Sequence, residues 1–498
     1  MNFSVRTSPN YRDDISTKRI MRELILGLLV VFAFSLYYYS VEYTMDHVVH
    51  ALLLMLTAVV TAVATETVYA LVKKKNVRYH LTFSFPLVTA IILTLMVPVS
   101  MTYTALALGT FFAIFVGKLI FGGFGQNIFN PAATGRALIL SSFAGATAAD
   151  VITGATPIST ISGMGWLIKD STLVQNLLDQ FGGLQGLFIG WHPGALGETS
   201  AALILVVGVV LALRRVLDWR IPVFYIGSAF VMATVIALMN GVGMWYPVYH
   251  LVSGGLMFGA VFMATDPVTN PTSAAGRVIF AIGCGILTVL IRVKANVPGG
   301  VLYSILIMNM LSPLIERYTD GWQIHTVKKN WRLIAIVAAL GIASAAIVGS
   351  VMTPAEPSAE NPGMPAVTLG DSINLFSDQT SNPPEVVEMT EDGDIVTYTM
   401  AAAGYAITEG GSDGAKPNLV EVKLNQATKT VESVAILEAN DTPNLGTQIE
   451  GKEFIDQFAG ISYENNDDAT VDSVSGATVS STSVVKAVRL AIQDLTKE

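Results

Sequence analysis

Eleven runs of apolar residues, each close to the length that crosses a bilayer, occupy the first 351 positions of this 498-residue chain. About 20 apolar residues in a row span the hydrocarbon as a helix. No water is available there, so each backbone N–H and C=O must be bonded within the protein, which a helix achieves by itself. The runs lie near 23–41, 49–72, 81–99, 102–121, 130–146, 198–213, 221–239, 248–265, 278–293, 299–316 and 333–351. The run at 130–146 is short and contains Arg136. Charge is scarce to match: 13% of residues are Asp, Glu, Lys or Arg, against about 25% in soluble domains.

That scarce charge is unevenly spread. Residues 1–351 hold 22 Lys+Arg against 14 Asp+Glu, a net of +8, whereas residues 352–498 hold 7 against 24, a net of −17. A strongly acidic C-terminal part argues against nucleic acid and against docking on anionic lipid. Lys and Arg in short loops mark the cytoplasmic side. Arg12, Lys18, Arg19 and Arg22 precede the first run, Lys73–Lys75 and Arg78 follow the second, Arg214, Arg215 and Arg220 follow the sixth, and Lys328, Lys329 and Arg332 precede the last. All these clusters share one face if the N-terminus is cytoplasmic; Arg292 and Lys294 are the exceptions. The first 14 residues are polar for too long to be a signal peptide, so the first run is expected to stay as a helix. Loop 147–197 and everything after 351 then lie outside the cell membrane.

The organisation that follows is a ten-helix membrane domain over 1–330, an anchoring helix over 331–351, a linker over 352–380 and a soluble domain over 381–498. The linker begins with VMTPAEPSAENPGMP, whose four prolines break regular structure. Beyond it, DIVTYT, NLVEVKL and TVESVAIL read as strands. Apolar residues at 484, 485, 488, 491, 492 and 495 have the spacing of an amphipathic helix. The fold class is therefore a multi-pass α-helical membrane protein of about 11 transmembrane helices, followed by an extracytoplasmic α+β domain.

The single cysteine, Cys284, excludes an internal disulfide and cannot hold an iron–sulfur cluster, which takes four thiolates. All six histidines precede residue 352. If the chain moves electrons, organic cofactors must carry them. One pattern, D-x-x-S/T-G-A-T, occurs twice, as Asp150-Val-Ile-Thr153-Gly154-Ala155-Thr156 and as Asp472-Ser-Val-Ser475-Gly476-Ala477-Thr478. Either copy alone would pass for a glycine-containing turn with a polar cap; two copies with the same aspartate spacing, both expected on one side of the membrane, do not suggest coincidence. Thr478 precedes the C-terminal helix, whose free N–H groups favour an anion such as a phosphate ester. Gly476 and Ala477 leave room for another molecule to approach the backbone. Asp472 could orient the hydroxyl, hold a cation during attachment, or simply cap the turn.

The repeated motif resembles the flavinylation motif, in which a flavin transferase joins FMN to the last threonine through a phosphoester. Residues 1–330 resemble the D subunit of the Rnf electron-transport complex and the B subunit of the sodium-pumping NADH:quinone reductase, through GGFGQNIFNPAATGRA (122–137), FMATDPVTNPTSAAGR (262–277) and VPGGVLYSILIMNMLSPLIE (297–316). Residues 333–498 resemble the G subunit of the same complex, through Gly404-Tyr405, DTPNLGTQI (441–449) and SGATVSS (475–481). The usual E-T-P-G-L-G stands here with Asp441 and Asn444, a shorter acid and a lost glycine. The resemblance implies an FMN-binding domain, two covalent FMN groups on Thr156 and Thr478, and a non-covalent riboflavin contacted by Asn127 and Asn130, which could otherwise be helix caps. Asp266, in the proline-broken DPVTNP, is a functional candidate or an interfacial cap.

By the same resemblance, the chain is a flavin-carrying electron relay in a translocase that couples ferredoxin:NAD+ electron transfer to Na+ or H+ transport. Partner subunits would hold the iron–sulfur clusters and the NAD site, since this chain lacks the cysteines for them. Two other functions remain open on sequence: a flavinylated protein serving an extracellular reductase, and a transporter or channel with a sensory domain, which would leave the paired motif unexplained.

Overall fold

The computed structural model describes residues 15–143, 156–295, 300–319, 327–354, 369–376, 383–408, 416–441, 446–464, 469–474 and 477–496. Each apolar run has become helix. The first two are α1 (Thr17–Glu42) and α2 (Met45–Val72). Then come α3 (Val77–Ser84) and α4 (Pro86–Leu95), α5 (Tyr103–Ile114), which continues as a π-helical turn over Phe115–Leu119, and α6 (Pro131–Ser142). After α10 (Ala201–Leu213) and α11 (Arg220–Asn240) the chain makes α12 (Trp245–Val252) and α13 (Leu256–Phe258), the latter running into a second π turn over Gly259–Met263. The membrane part ends with α14 (Ala274–Ala295), α15 (Gly300–Thr319) and α16 (Val327–Val351). Among the described residues, α1, α2, α11, α14 and α16 are each long and apolar enough to cross a membrane, and up to seven spans result if each bent pair counts as one.

The bends have local causes. Phe85 adopts a left-handed φ of 50° immediately before Pro86, and α3 meets α4 at 46°. Gly254, at φ +66°, separates α12 from the next helical segment, which leaves at 63°. Backbone broken in this way at membrane depth is tolerated where it lines a cavity, and π turns often mark such places. α14 is central, with 67% of its apolar window buried, whereas α2 and α16 bury only 28% and 22%. The remaining faces of those two helices display Leu52, Leu56, Val60, Leu340 and Ile347, an apolar surface suited to lipid.

Two expectations need correction. Loop 147–197 is not simply a loop: it contains α7 (Pro157–Gly163), α8 (Ser171–Asp179) and α9 (Gly183–Ile189). The stretch 352–380, expected to be linker, contributes strand β1 (Leu369–Asn374), which pairs antiparallel with β6 (Thr470–Val474). The four-stranded sheet is an antiparallel meander of β2 (Glu385–Asp392), β3 (Ile395–Ala402), β4 (Asn418–Asn425) and β5 (Thr430–Glu438), with a short α17 (Tyr405–Thr408) after β3 and α18 (Lys452–Ile455) after β5. β3 and β4 alternate buried and half-buried residues, sending Val396, Tyr398, Met400, Val420, Val422 and Leu424 inward. The C-terminal helix α19 (Thr478–Thr496) lays Val484, Val488, Ala491 and Ile492 on that face. β2 is exposed throughout and carries Glu385, Glu388, Glu391 and Asp392, charges that discourage edge pairing.

Candidate functional site

Thr478 is the first residue of α19 and is exposed. The turn before it is held by Ser481, whose Oγ accepts from Val474 N at 2.9 Å and donates to the Ala477 carbonyl at 3.0 Å. Ala477 N also bonds the Val474 carbonyl at 2.9 Å. These bonds join the end of β6 to the first turn of the helix, and so fix where the hydroxyl of Thr478 emerges. Its carbonyl accepts from Thr482 Oγ1 at 2.7 Å. Ser475 and Gly476 lie outside the described residues.

A buried polar hub stands beside this helix start. Asn418 Nδ2 donates to Asp441 Oδ2 at 2.8 Å and to Ser483 Oγ at 3.3 Å, while Asn418 Oδ1 accepts from Asn440 N at 2.8 Å. A Cβ at Gly404 would collide with Asp441 Oδ2 and Asn418 Nδ2, and one at Gly446 would stand 2.5 Å from Asp441 Cβ and 3.0 Å from Ser480 Oγ. The three segments Gly404-Tyr405, the ends of DTPNLG and the helix start are thereby brought to one place. Asp472 is used otherwise: its carboxylate accepts from Ser372 Oγ on β1 at 2.5 Å, and its backbone is bonded by Gln457. Its side chain therefore ties β6 to β1.

Thr156 is the N-cap of α7, its Oγ1 accepting from Ser159 N at 3.2 Å. Tyr249 OH donates to the Pro157 carbonyl at 2.6 Å and fastens α7 to α12. The half-buried Thr156 lines a partly open cavity of about 920 Å³ together with Met96, Arg136, Glu198, Gly254 and Phe258. Asp150, Thr153, Gly154 and Ala155 lie outside the described residues.

A second cavity, of about 710 Å³, is bordered by Phe85, Lys118, Phe124, Asn127, Asn130 and Asp266. Asn130 is fully engaged: Oδ1 caps α6 by accepting from Ala133 N at 3.2 Å, and Nδ2 donates to the Met263 carbonyl at 3.2 Å. Asn127 Nδ2 donates to the Phe129 carbonyl at 3.1 Å, and its Oδ1 makes no hydrogen bond among the described residues. Asp266 caps its own turn, accepting from Val268 N and Thr269 Oγ1 at 3.2 Å each. Lys118 donates to Glu66 Oε1 at 2.8 Å and to the Ser84 carbonyl, and Glu66 is held further by His80 at 2.6 Å and Ser84 Oγ at 2.5 Å. The two cavities use the same elements at different heights: Ile92 on α4 and Met96 at its C-cap, Ala132 and Arg136 on α6, Phe262 and Met263 on the second π turn. At about 1.5 Å per residue, Ala132 and Arg136 differ by roughly 6 Å along α6.

Residues 4–324 match the family described as NQR2, RnfD, RnfE. The chain belongs to this family. Over 331 residues it is 35% identical to the D subunit of the proton-translocating ferredoxin:NAD(+) oxidoreductase complex of Clostridium ljungdahlii, covering 64% of this chain and 95% of that relative. It is 36% identical over 326 residues to the D subunit of the Na(+)-translocating ferredoxin:NAD(+) oxidoreductase complex of Acetobacterium woodii, covering 64% and 94%. The B subunit of the Na(+)-translocating NADH-quinone reductase of Chromohalobacter salexigens is 36% identical over 248 residues, 46% of this chain and 57% of that one. Residues 416–493 match the FMN-binding domain, so this family member has an RnfD-like part followed by a flavin-binding one, as a D–G fusion requires. That second match starts at β4 and ends in α19, and so includes Asn418, Asp441 and Thr478.

The hub residue Asn418, the cavity arginine Arg136 and the Glu66–Lys118 pair were not named as site residues from sequence. Asn418 stands at the head of a strand and gives no local signal. Arg136 had one: a charge inside an apolar run. Glu66 and Lys118 had the same signal, and a pairing of charges inside two different runs would have found them.

Proposed function

We infer that the chain is a flavin-carrying electron-relay subunit of a membrane complex that couples ferredoxin:NAD+ electron transfer to ion transport, with FMN esterified to Thr156 and to Thr478. The observation that carries this reading is the placement of the two motif threonines. Each stands at a helix start, one beside the buried hub of an FMN-binding domain and one lining a cavity in the family's membrane domain. Bound flavin would supply one- and two-electron chemistry, and the protein supplies position and electrostatics. On Thr478 the N-terminus of α19 offsets the ester's charge. Asn127, with a free Oδ1 beside Phe85 and Phe124, fits a non-covalent riboflavin, while Asn130 shapes the same cavity by capping α6. Partner subunits hold the iron–sulfur clusters and the NAD site, and a flavin transferase attaches the FMN.

Mass spectrometry of the purified chain, digested under conditions that keep phosphate esters, should find one FMN on the Thr156 peptide and one on the Thr478 peptide. Acid extraction of the same preparation should release riboflavin, and Asn127→Leu with Asn130→Leu should remove it without touching the esters. An unlabelled Thr156 peptide would reduce the relay to the soluble domain; unchanged riboflavin would leave both asparagines as caps and packing.

Eleven spans with a cytoplasmic N-terminus complete the proposal, supported by the Lys/Arg clusters and by helices at all eleven runs. Both motifs and the acidic domain are then extracytoplasmic. A reporter fused after Glu498 should be active only when it is of a kind that works after export; activity of a cytoplasmic reporter there would reverse the orientation or change the span count.

A further inference from the structure

The two attachment sites solve the same charge problem with different means. A phosphodiester carries one negative charge, and at Thr478 a helix of 19 residues presents its N-terminus. At Thr156 the helix is only seven residues long and is already capped by the threonine itself, so side chains must offset the charge. Among the described residues, three charged groups are gathered there. Arg136 and Glu198 line the cavity with Thr156. Arg292, fully buried, lies behind its wall: Nη2 is 3.5 Å from where a Cβ on Gly254 would stand. Arg292 is committed, donating to the His250 carbonyl at 2.6 Å and the Ser253 carbonyl at 3.3 Å. Glu198 packs over the next residue, its Oε1 2.5 Å from where a Cβ on Gly255 would be.

Arg136 is different. It is half-buried and lines the cavity. Among the described residues it makes no hydrogen bond and no ion pair within 4.0 Å, with Glu198 or any other group. Among the described residues, two arginines against one glutamate leave one positive charge, in a setting where an unpaired charge is costly. The missing partner is an anion of charge one, reachable from Thr156.

We propose that Arg136 is the counter-ion of the phosphodiester on Thr156, gripping its free oxygens with the guanidinium fork as arginine does with phosphate. Among the described residues, Glu198 on the cavity and Arg292 behind its wall offset each other and leave the charge of Arg136 for the ester. The inference rests on Thr156 carrying FMN, and it adds the residue that holds the phosphate end.

The test is a cycle of four full-length proteins in detergent: unaltered, Arg136→Gln, Thr156→Val, and both, each followed by its tryptophan-fluorescence unfolding midpoint and by FMN on the Thr156 peptide. With FMN on Thr156, Arg136→Gln should lower the midpoint by several degrees or lose the label from Thr156 while Thr478 keeps its own. In the Thr156→Val background the same change should leave the midpoint unchanged or raise it, since it removes an uncompensated charge. An equal drop in both backgrounds would overturn the proposal and make a protein carboxylate, with Asp150 the nearest in sequence, the partner of Arg136. If Arg136→Gln does not fold, Arg136→Lys keeps the charge without the fork. The ³¹P resonance of the Thr156 ester should then shift while that of Thr478 stays; an unmoved Thr156 resonance overturns the grip. An unlabelled Thr156 peptide in the unaltered protein would instead defeat the underlying function, whatever the cycle gives.

Discussion

Thr156→Val and Thr478→Val should each halve the in-gel flavin fluorescence of the chain, and the pair should abolish it. Valine nearly keeps the shape of threonine and deletes the one atom that can form the ester. Each motif carries its own hydroxyl, its own small residues and its own aspartate, so loss of one should not affect labelling of the other. On the proposed reading, in which each site is a separate station in the relay, electron flow through the assembled complex should fall to background with either change. The two substitutions differ in their structural side effects. Thr156 Oγ1 caps α7, so its loss costs about 1 kcal/mol of local stability. The exposed Thr478 side chain caps nothing among the described residues, and its replacement should stay within about ±0.5 kcal/mol. Full fluorescence in Thr156→Val would mean that only the soluble domain is labelled, with the membrane domain as its scaffold. Restored electron flow in either variant would mean that the missing station can be bypassed.

Hydropathy placed the helices well because membrane spans are a one-dimensional property: a run of apolar residues has few other fates. β3, β4, β5 and α19 were legible for a similar reason, since their alternation or helical spacing is local. What was missed depends on partners far away in the chain. LGDSIN becomes β1 only because β6 lies alongside it, about a hundred residues later. EVVEMTED was not among the expected strands and becomes β2 by pairing with β3. The helices α7 to α9 are too short to register as spans, although α8 buries Leu173 and Leu177 on one face. At the sites, the threonines came from a repeated motif, but their surroundings did not. Asn418 meets Asp441 across 23 positions, and Arg136 became informative only once the cavity had Thr156 on its wall. Asp472 shows the converse: its spacing suggested a role at the hydroxyl, and the structure gives its carboxylate to Ser372.

Glu66→Leu should be among the most destabilising single changes in the membrane domain, at about 3–5 kcal/mol. Glu66 is fully buried on α2, and Lys118, 2% exposed, reaches it from the first π turn. The carboxylate also takes His80 from the middle of α3 and Ser84 from its end, just before the kink. One acid on α2 thus fastens α3 and the first π turn, which border the Asn127 cavity through Ser84 and Lys118. Removing it leaves the Lys118 ammonium with the Ser84 carbonyl, the ring of Phe124 6.0 Å away, and Asp266 on the wall of the same cavity, with which it makes no ion pair within 4.0 Å. A buried cation stripped of its anion is costly, yet a buried pair contributes little beyond what well-packed apolar groups would. Glu66→Leu with Lys118→Met should therefore recover most of the loss, giving a coupling that neighbouring but independent sites would not produce. Unfolding in detergent, followed by intrinsic fluorescence for the single and double variants, measures that coupling. A double variant as unstable as the sum of the singles would mean that the two groups act separately. The riboflavin content of the same variants then reports whether the pair keeps the cavity open: with the charges gone and stability recovered, retained riboflavin would assign Lys118 to the scaffold, and its loss would assign it to the cavity wall that meets the flavin.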